Sequence, residues 1–175
     1  MSKIKELFLS AGKEVNFYAS YDRADLDPID MPDSFSIEGV LPDWDEAAVS
    51  MTGYLFERKY ILEAADACGA GLEEIVEKLY DRNLALNDKY VNRTGRKACF
   101  IEEFSVNPEL RRQGIATIVL ANLLAMLRKI EPSLCGIYAY VDDDCEDELF
   151  KFFERYGFRR IDNSRVIWIP IPDKA

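Results

Sequence analysis

The stretch IEEFSVNPELRRQGIAT, residues 101–117, decides the fold of this protein. Its first part belongs to a β-branched and aromatic run, residues 99–106, which predicts a strand. Pro108 ends that run, and a helix is expected to begin near Arg112. The following segment, IATIVLANLLAMLRKI, is apolar on nearly all sides but too short to span a membrane, so it predicts a buried helix.

The start of this predicted helix has the features of an anion site. The first turn of a helix leaves backbone N–H groups unpaired, and the helix dipole is positive there. Gly114 and Ala116 let a ligand approach the backbone closely, and Arg111 and Arg112 can donate charge-assisted hydrogen bonds to phosphate. A pyrophosphate would suit such a turn. An ordinary strand-to-helix corner with solvated arginines would look the same, and spacing alone does not separate the two interpretations.

Strands and helices alternate around this corner. Strands are predicted at residues 15–21, 35–40, 49–62, 136–141 and 166–171. Amphipathic helices are predicted at residues 72–81 and after Asp144, the second with an inward stripe of Leu149, Phe152, Phe153 and Tyr156 and with Gly157 at its C-terminal cap. This order predicts a mixed α/β fold in which helices cover a central sheet, with residues 1–175 as a single domain.

Composition excludes several classes of function. The chain of 175 residues contains no histidine, so no mechanism can use an imidazole base, nucleophile or metal ligand. The net charge of −10 disfavours a nucleic-acid partner and favours cationic substrates. The four cysteines lack CxxC spacing, which indicates reduced thiols and no zinc site. With neither a membrane span nor a signal peptide in the sequence, a cytoplasmic protein is expected.

An acidic stretch, residues 22–46, contains nine acids and one base, Arg23. A solvated loop is the simplest interpretation. A calcium loop would need a glycine and a closing glutamate at fixed offsets, which are missing here, so no metal site is predicted. The third alternative is a negatively charged segment that attracts an amine substrate.

The segment VNPELRRQGIAT resembles motif A of the GNAT superfamily of N-acetyltransferases, with Arg111, Gly114 and Ala116 at the motif positions. Its RRQGIAT portion is similar to aminoglycoside acetyltransferases. A second segment, FFERYGF at residues 152–158, resembles a downstream motif of the same family. The two motifs together cover about residues 99–158, and the acyl-coenzyme A-binding core is expected at about residues 97–171. It implies a mostly antiparallel central sheet with splayed middle strands.

The resemblance also implies acetyl-coenzyme A as cosubstrate. The backbone N–H groups of the loop and helix start would hold the pyrophosphate, the edge of the preceding strand would pair with the pantetheine arm, and the N–H of Val106 would face the thioester oxygen. The implied cofactor-binding residues are Phe104, Ser105, Val106, Arg111, Arg112, Gln113, Gly114, Ile115, Ala116 and Thr117. The first 95 residues depart from the family's usual order of a strand, two helices and a hairpin, so an atypical N-terminal half is expected.

Glu102 and Glu103 are the leading candidates for the base that takes a proton from the attacking amine. As neighbours on a strand they should point to opposite faces, so at most one would line the cleft. The segment IEEFSV resembles polyamine and glucosamine-phosphate acetyltransferases, which implies the base role for Glu102. Both glutamates could instead be surface or ion-paired strand residues.

The residue expected to reprotonate the leaving thiolate is missing. Phe153 stands where the family usually has a tyrosine. Tyr156 lies almost one helical turn further on and could replace it, although packing alone would also place an aromatic residue there. Tyr138 and Tyr140 are further candidates. Alternatively, the thiolate leaves without a general acid, since its pKa is about 8.5.

The resemblance thus predicts an N-acyltransferase that moves acetyl from acetyl-coenzyme A to a primary amine of a small cationic molecule. A protein or peptide N-acetyltransferase is the alternative among enzymes. A coenzyme A-binding module without catalysis is the alternative outside them. A toxin that acts on charged transfer RNA uses the same fold, but the net charge of −10 argues against it. Whether the chain forms a homodimer is left open.

Overall fold

The computed structural model describes residues 2–8, 14–23, 32–44, 46–62, 70–81, 83, 85–87, 89–92, 94–142 and 146–171. The strands are β1 (Ser2–Phe8), β2 (Glu14–Asp22), β3 (Asp33–Val40), β4 (Ala47–Glu57), β5 (Lys97–Val106), β6 (Leu134–Tyr140), β7 (Arg159–Arg160) and β8 (Val166–Ile169). The helices are α1 (Ala70–Leu79), α2 (Ile115–Ile130) and α3 (Glu146–Glu154), and short 3-10 turns lie at Arg58–Tyr60 and Pro108–Leu110.

The described strands form one eight-stranded sheet in the order β1-β2-β3-β4-β5-β6-β8-β7. Every neighbouring pair is antiparallel except β5 and β6, which are parallel and are joined through α2. The predicted fold class, a mixed α/β fold with a mostly antiparallel central sheet, is confirmed. The first four strands follow one another in sequence order before α1, so the N-terminal half is atypical, as expected.

Helices cover both faces of the sheet. On one face, α2 packs the buried side chains of Ile115, Val119, Leu120, Leu123, Met126 and Leu127 into the larger core cluster, together with the aromatic side of α3. On the other face, α1 packs Leu72, Ile75, Val76 and Leu79 into a second cluster. We call these the α2 face and the α1 face. The outer side of α2 carries the exposed Thr117, Ala121 and Ala125, so this helix is buried on one side only.

Several boundaries differ from the sequence-based predictions. The strand expected over residues 49–62 ends at Glu57, because the chain turns there into the 3-10 turn. The helix predicted at residues 72–81 begins two residues earlier, at Ala70. Strands β1 and β7 were missed. Asp144, the predicted cap of α3, lies outside the described residues.

The predicted inward stripe of α3 was wrong at Leu149, which is 37% exposed. Phe150 takes the buried position instead, at 5% exposure, and the guanidinium of Arg160 lies 4.0 Å from the centre of its ring. Gly157 has a φ of 91°, which suits the C-terminal cap that the sequence predicts for it.

Pairing between β5 and β6 ends before β5 does. The last register pair is Ile101 with Ala139, whereas β5 continues to Val106 along β4. The register between β4 and β5 also shifts at this level, since Thr52 is opposite Glu103 and Gly53 is opposite Ile101. Glu102 is therefore the extra residue of a β-bulge, a feature that is frequent next to active sites.

Part of the acidic stretch is not a solvated loop. Asp33 begins β3, and its carboxylate lies 2.5 Å from the ammonium of Lys97 and accepts a hydrogen bond from the hydroxyl of Tyr21. The side chains of Lys97 and Asp33 are only 13% and 14% exposed. Glu131, after α2, approaches Lys97 at 4.0 Å. This ion pair ties β3 to β5, whereas residues 24–31 lie outside the described residues.

Membrane-spanning helices and metal-binding clusters can be assessed only for the described residues. None of the described helices is long and apolar enough to cross a membrane. Among the same residues, no group of three or more acidic or cysteine side chains is arranged to hold a metal ion.

Candidate functional site

A short, shaped loop connects the end of β5 to the start of α2. Asn107 caps its 3-10 turn, since its Oδ1 accepts a hydrogen bond from the N–H of Glu109 at 3.1 Å. Pro108 occupies the first position of the turn, where no N–H donor is needed. Arg112 and Gly114 have φ values of 62° and 83°. A positive φ is uncommon outside glycine, so the backbone is strained at Arg112.

Helix α2 begins at Ile115, three residues later than the sequence predicts, because Gly114 is still in the left-handed conformation. The first helical hydrogen bond runs from the N–H of Ile118 to the oxygen of Gly114, at 3.0 Å. The N–H groups of Ile115, Ala116 and Thr117 precede that bond and lie at the positive end of the helix dipole. A Cβ built on Gly114 would meet nothing within 4 Å, so the space in front of the helix is open.

A cavity of about 180 Å³ lies at this helix start. It is lined by Val106, Leu110, Arg111, Arg112, Gly114, Ile115, Ala116, Thr117 and Phe152. The end of β5, the loop, the first turn of α2 and one aromatic side chain of α3 therefore meet around one concavity. Both sequence segments that carry the family resemblance contribute to it.

The outer edge of β5 faces this region through alternate residues. The N–H of Asn107 donates to the oxygen of Ala48 at 3.0 Å, which marks a hydrogen-bonded pair of the β4–β5 ladder. Because such pairs alternate along an antiparallel ladder, the N–H and C=O groups of Val106 and Phe104 point away from β4. Consistently, the oxygen of Val106 accepts a hydrogen bond from Nε of Arg111 at 3.2 Å.

Not every predicted cofactor residue lines the cavity. The backbone of Ser105 points toward β4 by the same alternation, so its predicted role at the strand edge was wrong. Phe104 packs partly against the core, and Gln113 donates from Nε2 to the oxygen of Glu109 at 3.2 Å. Leu110 and Phe152 were missed as lining residues. Phe152 could have been found, because it is the first residue of the quoted segment FFERYGF.

Glu102 and Glu103 lie on the same face of the sheet, which corrects the prediction of opposite faces. Glu103 is opposite Thr52, and cross-strand partners share a face. Glu102 accepts a hydrogen bond at Oε1 from the hydroxyl of Tyr54, 3.1 Å away, and Tyr54 packs against the cluster on the α1 face. The bulge breaks the strand alternation on which the prediction relied. Both carboxylates are exposed.

The candidate general acids are in different environments. Tyr138 is fully buried, its hydroxyl donates to the oxygen of Tyr90 at 2.8 Å, and burial raises the pKa of its phenol well above the usual value, so its predicted candidacy is wrong. Tyr140 lies on the α1 face and accepts a hydrogen bond from Nη1 of Arg165 at 3.0 Å. Tyr156 is partly buried on the α2 face, with its ring 5.3 Å from that of Phe152.

A family model described as the acetyltransferase (GNAT) family matches residues 77–158. These residues are similar to that family. The match covers slightly less than half of the chain and confirms the resemblance predicted from the sequence. It contains both halves of the cavity, the β5–α2 corner and Phe152.

Several solved structures are similar to this one at low sequence identity. The GNAT domain of PAT from S. lividans is 10% identical, with a TM-score of 0.49 and 95% of each chain covered. NAA60 of Arabidopsis thaliana in complex with acetyl-CoA is 16% identical, with a TM-score of 0.49, 89% of this chain and 98% of that chain covered.

AtaT complexed with acetyl-methionyl-tRNAfMet is 12% identical, with a TM-score of 0.45, 88% of this chain and 94% of that chain covered. No curated protein matches the sequence significantly. Since none of these TM-scores reaches 0.5, the family model alone supports the assignment.

Proposed function

We propose that this protein moves an acetyl group from acetyl-coenzyme A to the primary amine of a small cationic molecule. The observation that carries the proposal is the cavity at the start of α2, where the end of β5, the open Gly114 backbone and Phe152 meet. The family match over residues 77–158 supports the reaction class.

The start of α2 fits a pyrophosphate. The N–H groups of Ile115, Ala116 and Thr117 precede the first helical hydrogen bond, and anions bind at such positions because the dipole favours negative charge. Arg111 and Arg112 line the same cavity and are exposed, so each can turn toward a phosphate. A side chain at position 114 would occupy the space that the phosphates need.

The outer edge of β5 fits the pantetheine arm. Phe104 presents its N–H and C=O groups on that edge, and an amide-containing chain can pair with them as a neighbouring strand would. Between Ile101 and Val106 the outer edge of β5 is no longer paired with β6, so the thioester would reach through the sheet along this unpaired stretch. The N–H of Val106 would then stabilise the negative charge that develops on the thioester oxygen.

The acceptor amine would approach from the α1 face, where Glu102 and Glu103 lie. An ammonium ion must lose a proton before its nitrogen can attack the thioester carbon. Glu102 would take that proton and the new N–C bond would form. The C–S bond would then break to release coenzyme A thiolate, and the second proton lost from the nitrogen would pass to water or to the thiolate. Two exposed carboxylates on one face, in a chain with a net charge of −10, favour a cationic acceptor.

No side chain is assigned as a general acid. Phe153 cannot donate a proton, and its ring packs 5.2 Å from that of Phe158. Tyr156 stays a candidate on the α2 face. A thiolate with a pKa of about 8.5 can also leave unaided and take a proton from water.

The test is thiol release with acetyl-coenzyme A and a panel of polyamines, aminosugars, aminoglycosides and lysine-bearing peptides. We expect the highest kcat/KM with a small polycationic amine and little release without any amine. Faster turnover with peptides would show that the acceptor is a peptide rather than a small molecule. Tight coenzyme A binding without turnover on any amine would overturn the proposal in favour of a coenzyme A-binding module.

A further inference from the structure

The hydroxyl of Tyr54 holds one of the two candidate base residues. Tyr54 lies on β4, and its hydroxyl donates to Oε1 of Glu102 on β5, at 3.1 Å. We propose that Tyr54 is the positioning residue that fixes the Glu102 carboxylate for proton transfer. The inference rests on the proposed function, because it assigns a partner to the base of that reaction.

Glu102 needs such a partner because of its place in the sheet. It is the extra residue of the bulge between β4 and β5, so no residue of β4 is directly opposite it. It is also exposed. A free glutamate side chain on the surface samples many rotamers, and holding it in one of them costs conformational entropy at every turnover. A hydrogen bond from a neighbour offsets that cost before the substrate binds.

Tyr54 is itself well fixed. Its backbone is opposite Phe100 in the β4–β5 register, and its side chain packs partly against the core cluster on the α1 face. Its ring centre lies 6.1 Å from that of Phe56. The hydroxyl therefore donates from a nearly constant point, unlike a donor on a long, mobile side chain.

The hydrogen bond also separates the two carboxylates chemically. It engages Oε1 of Glu102 and leaves Oε2 to accept the proton of the amine. Glu103 shares the face and the exposure, but within the described residues no hydrogen bond or ion pair reaches its carboxylate. This difference selects Glu102 as the oriented base and leaves Glu103 as a freely moving neighbour.

The experiment is a double-mutant cycle between Tyr54→Phe and Glu102→Gln, with Tyr18→Phe on β2 as the matched control. The acceptor is the amine that gives the fastest thiol release in the panel. We expect Tyr54→Phe to lower kcat by about 10-fold to 100-fold, the range that misplacement of a catalytic group costs. The KM for acetyl-coenzyme A and the melting temperature should stay near the wild-type values. In the Glu102→Gln background, Tyr54→Phe should cost nothing more.

Each contrary outcome has its own meaning. If the two substitutions lower kcat independently, so that their fold-losses multiply in the double mutant, Tyr54 does not act through Glu102 and the inference is overturned. A lower melting temperature of Tyr54→Phe would likewise show a merely structural role for the tyrosine. A silent Tyr54→Phe beside an impaired Glu102→Gln would overturn it too, while the base assignment survives. A fully active Glu102→Gln would overturn the base assignment and the inference together, and no turnover by the wild type would overturn the proposed function itself.

Discussion

The guanidinium of Arg111 donates from Nε to the oxygen of Val106 at 3.2 Å, which ties the loop before α2 back to the last residue of β5. Both residues line the cavity. The oxygen of Val106 points away from β4 and therefore has no partner in that strand. Arg111 of the loop supplies a hydrogen-bond donor to it instead. The strand and the helix start thus act as one preorganised surface.

The first prediction concerns the base. Glu102→Gln keeps the size of the side chain and removes its charge, and losing a positioned general base typically costs about 10²–10⁴ in rate. Steady-state thiol release with the best amine measures the loss. It should shrink at high pH, where more of the amine is already deprotonated.

Glu103→Gln is the matched control on the same face and should retain most of the activity. Full activity of Glu102→Gln together with a strong loss in Glu103→Gln would exchange the roles of the two residues.

The second prediction concerns the general acid. Tyr156→Phe should be nearly silent in kcat, because the ring of Tyr156 already packs against that of Phe152 and the thiolate can leave unaided. A drop in kcat with unchanged coenzyme A affinity would instead show a transition-state role for its hydroxyl. Comparison of kcat with the dissociation constant for coenzyme A separates the two outcomes.

The third prediction concerns the ion pair that replaces part of the expected acidic loop. Lys97→Met removes the ammonium that pairs with the carboxylate of Asp33, which is 14% exposed. Breaking a buried pair in this way costs about 3–5 kcal/mol, and the partial exposure here should reduce the loss to roughly 2–3 kcal/mol. Urea unfolding measures the difference.

Lys89→Met is the matched control, since Lys89 pairs with Asp162 at 3.8 Å and the two side chains are 69% and 67% exposed. It should be nearly silent. Equal losses in the two variants would contradict a structural role for the pair between β3 and β5.

The fourth prediction is a pH dependence of stability. Burial raises the pKa of the Cys99 thiol far above its usual range and that of Cys135 to about 12. Below the unfolded-state pKa of about 8.5, the stability from these protonated thiols is fully present. Above it the unfolded thiols ionise first, so stability falls by about 1.4 kcal/mol per pH unit for each thiol until the folded-state pKa is approached.

Urea unfolding of the wild type and of Cys99→Ala between pH 7 and pH 10, in reductant, measures this slope. The variant loses buried volume at every pH, but its stability should fall less steeply above about pH 8.5. Parallel curves for the two proteins would show that Cys99 is not protonated in the folded state as described.

The corner at β5 and α2 could be predicted because its signals are local. Pro108, Gly114 and the apolar run after it are read within one short segment, and the family resemblance lies on the same residues. The pairing of Tyr54 with Glu102 could not be predicted, because it depends on the register between strands 48 residues apart in the chain. The bulge that places both carboxylates on one face depends on the same register.

The N-terminal half was harder to predict for similar reasons. β1 was missed, and it pairs with β2 in a register that contains a shift between Lys3 and Lys5. The buried face of α3 was predicted wrongly because its C-terminal half contains three aromatic residues, which fit more than one choice of inward face. In the folded protein Phe150 is buried and Leu149 is exposed. Asp33 was assigned to a solvated loop because its partner, Lys97, is distant in sequence.

The most direct measurement is the binding of acetyl-coenzyme A by isothermal titration to the wild type, Gly114→Asp and Gly157→Asp. The two glycines have φ values of 83° and 91°, and a Cβ on either meets nothing within 4 Å. Each substitution should therefore cost a similar strain, about 1 kcal/mol. Only position 114 lies at the cavity.

We expect wild-type affinity for Gly157→Asp and no detectable binding for Gly114→Asp, with similar melting temperatures for the two unliganded variants. Equal affinity in all three proteins would contradict a pyrophosphate site at the start of α2.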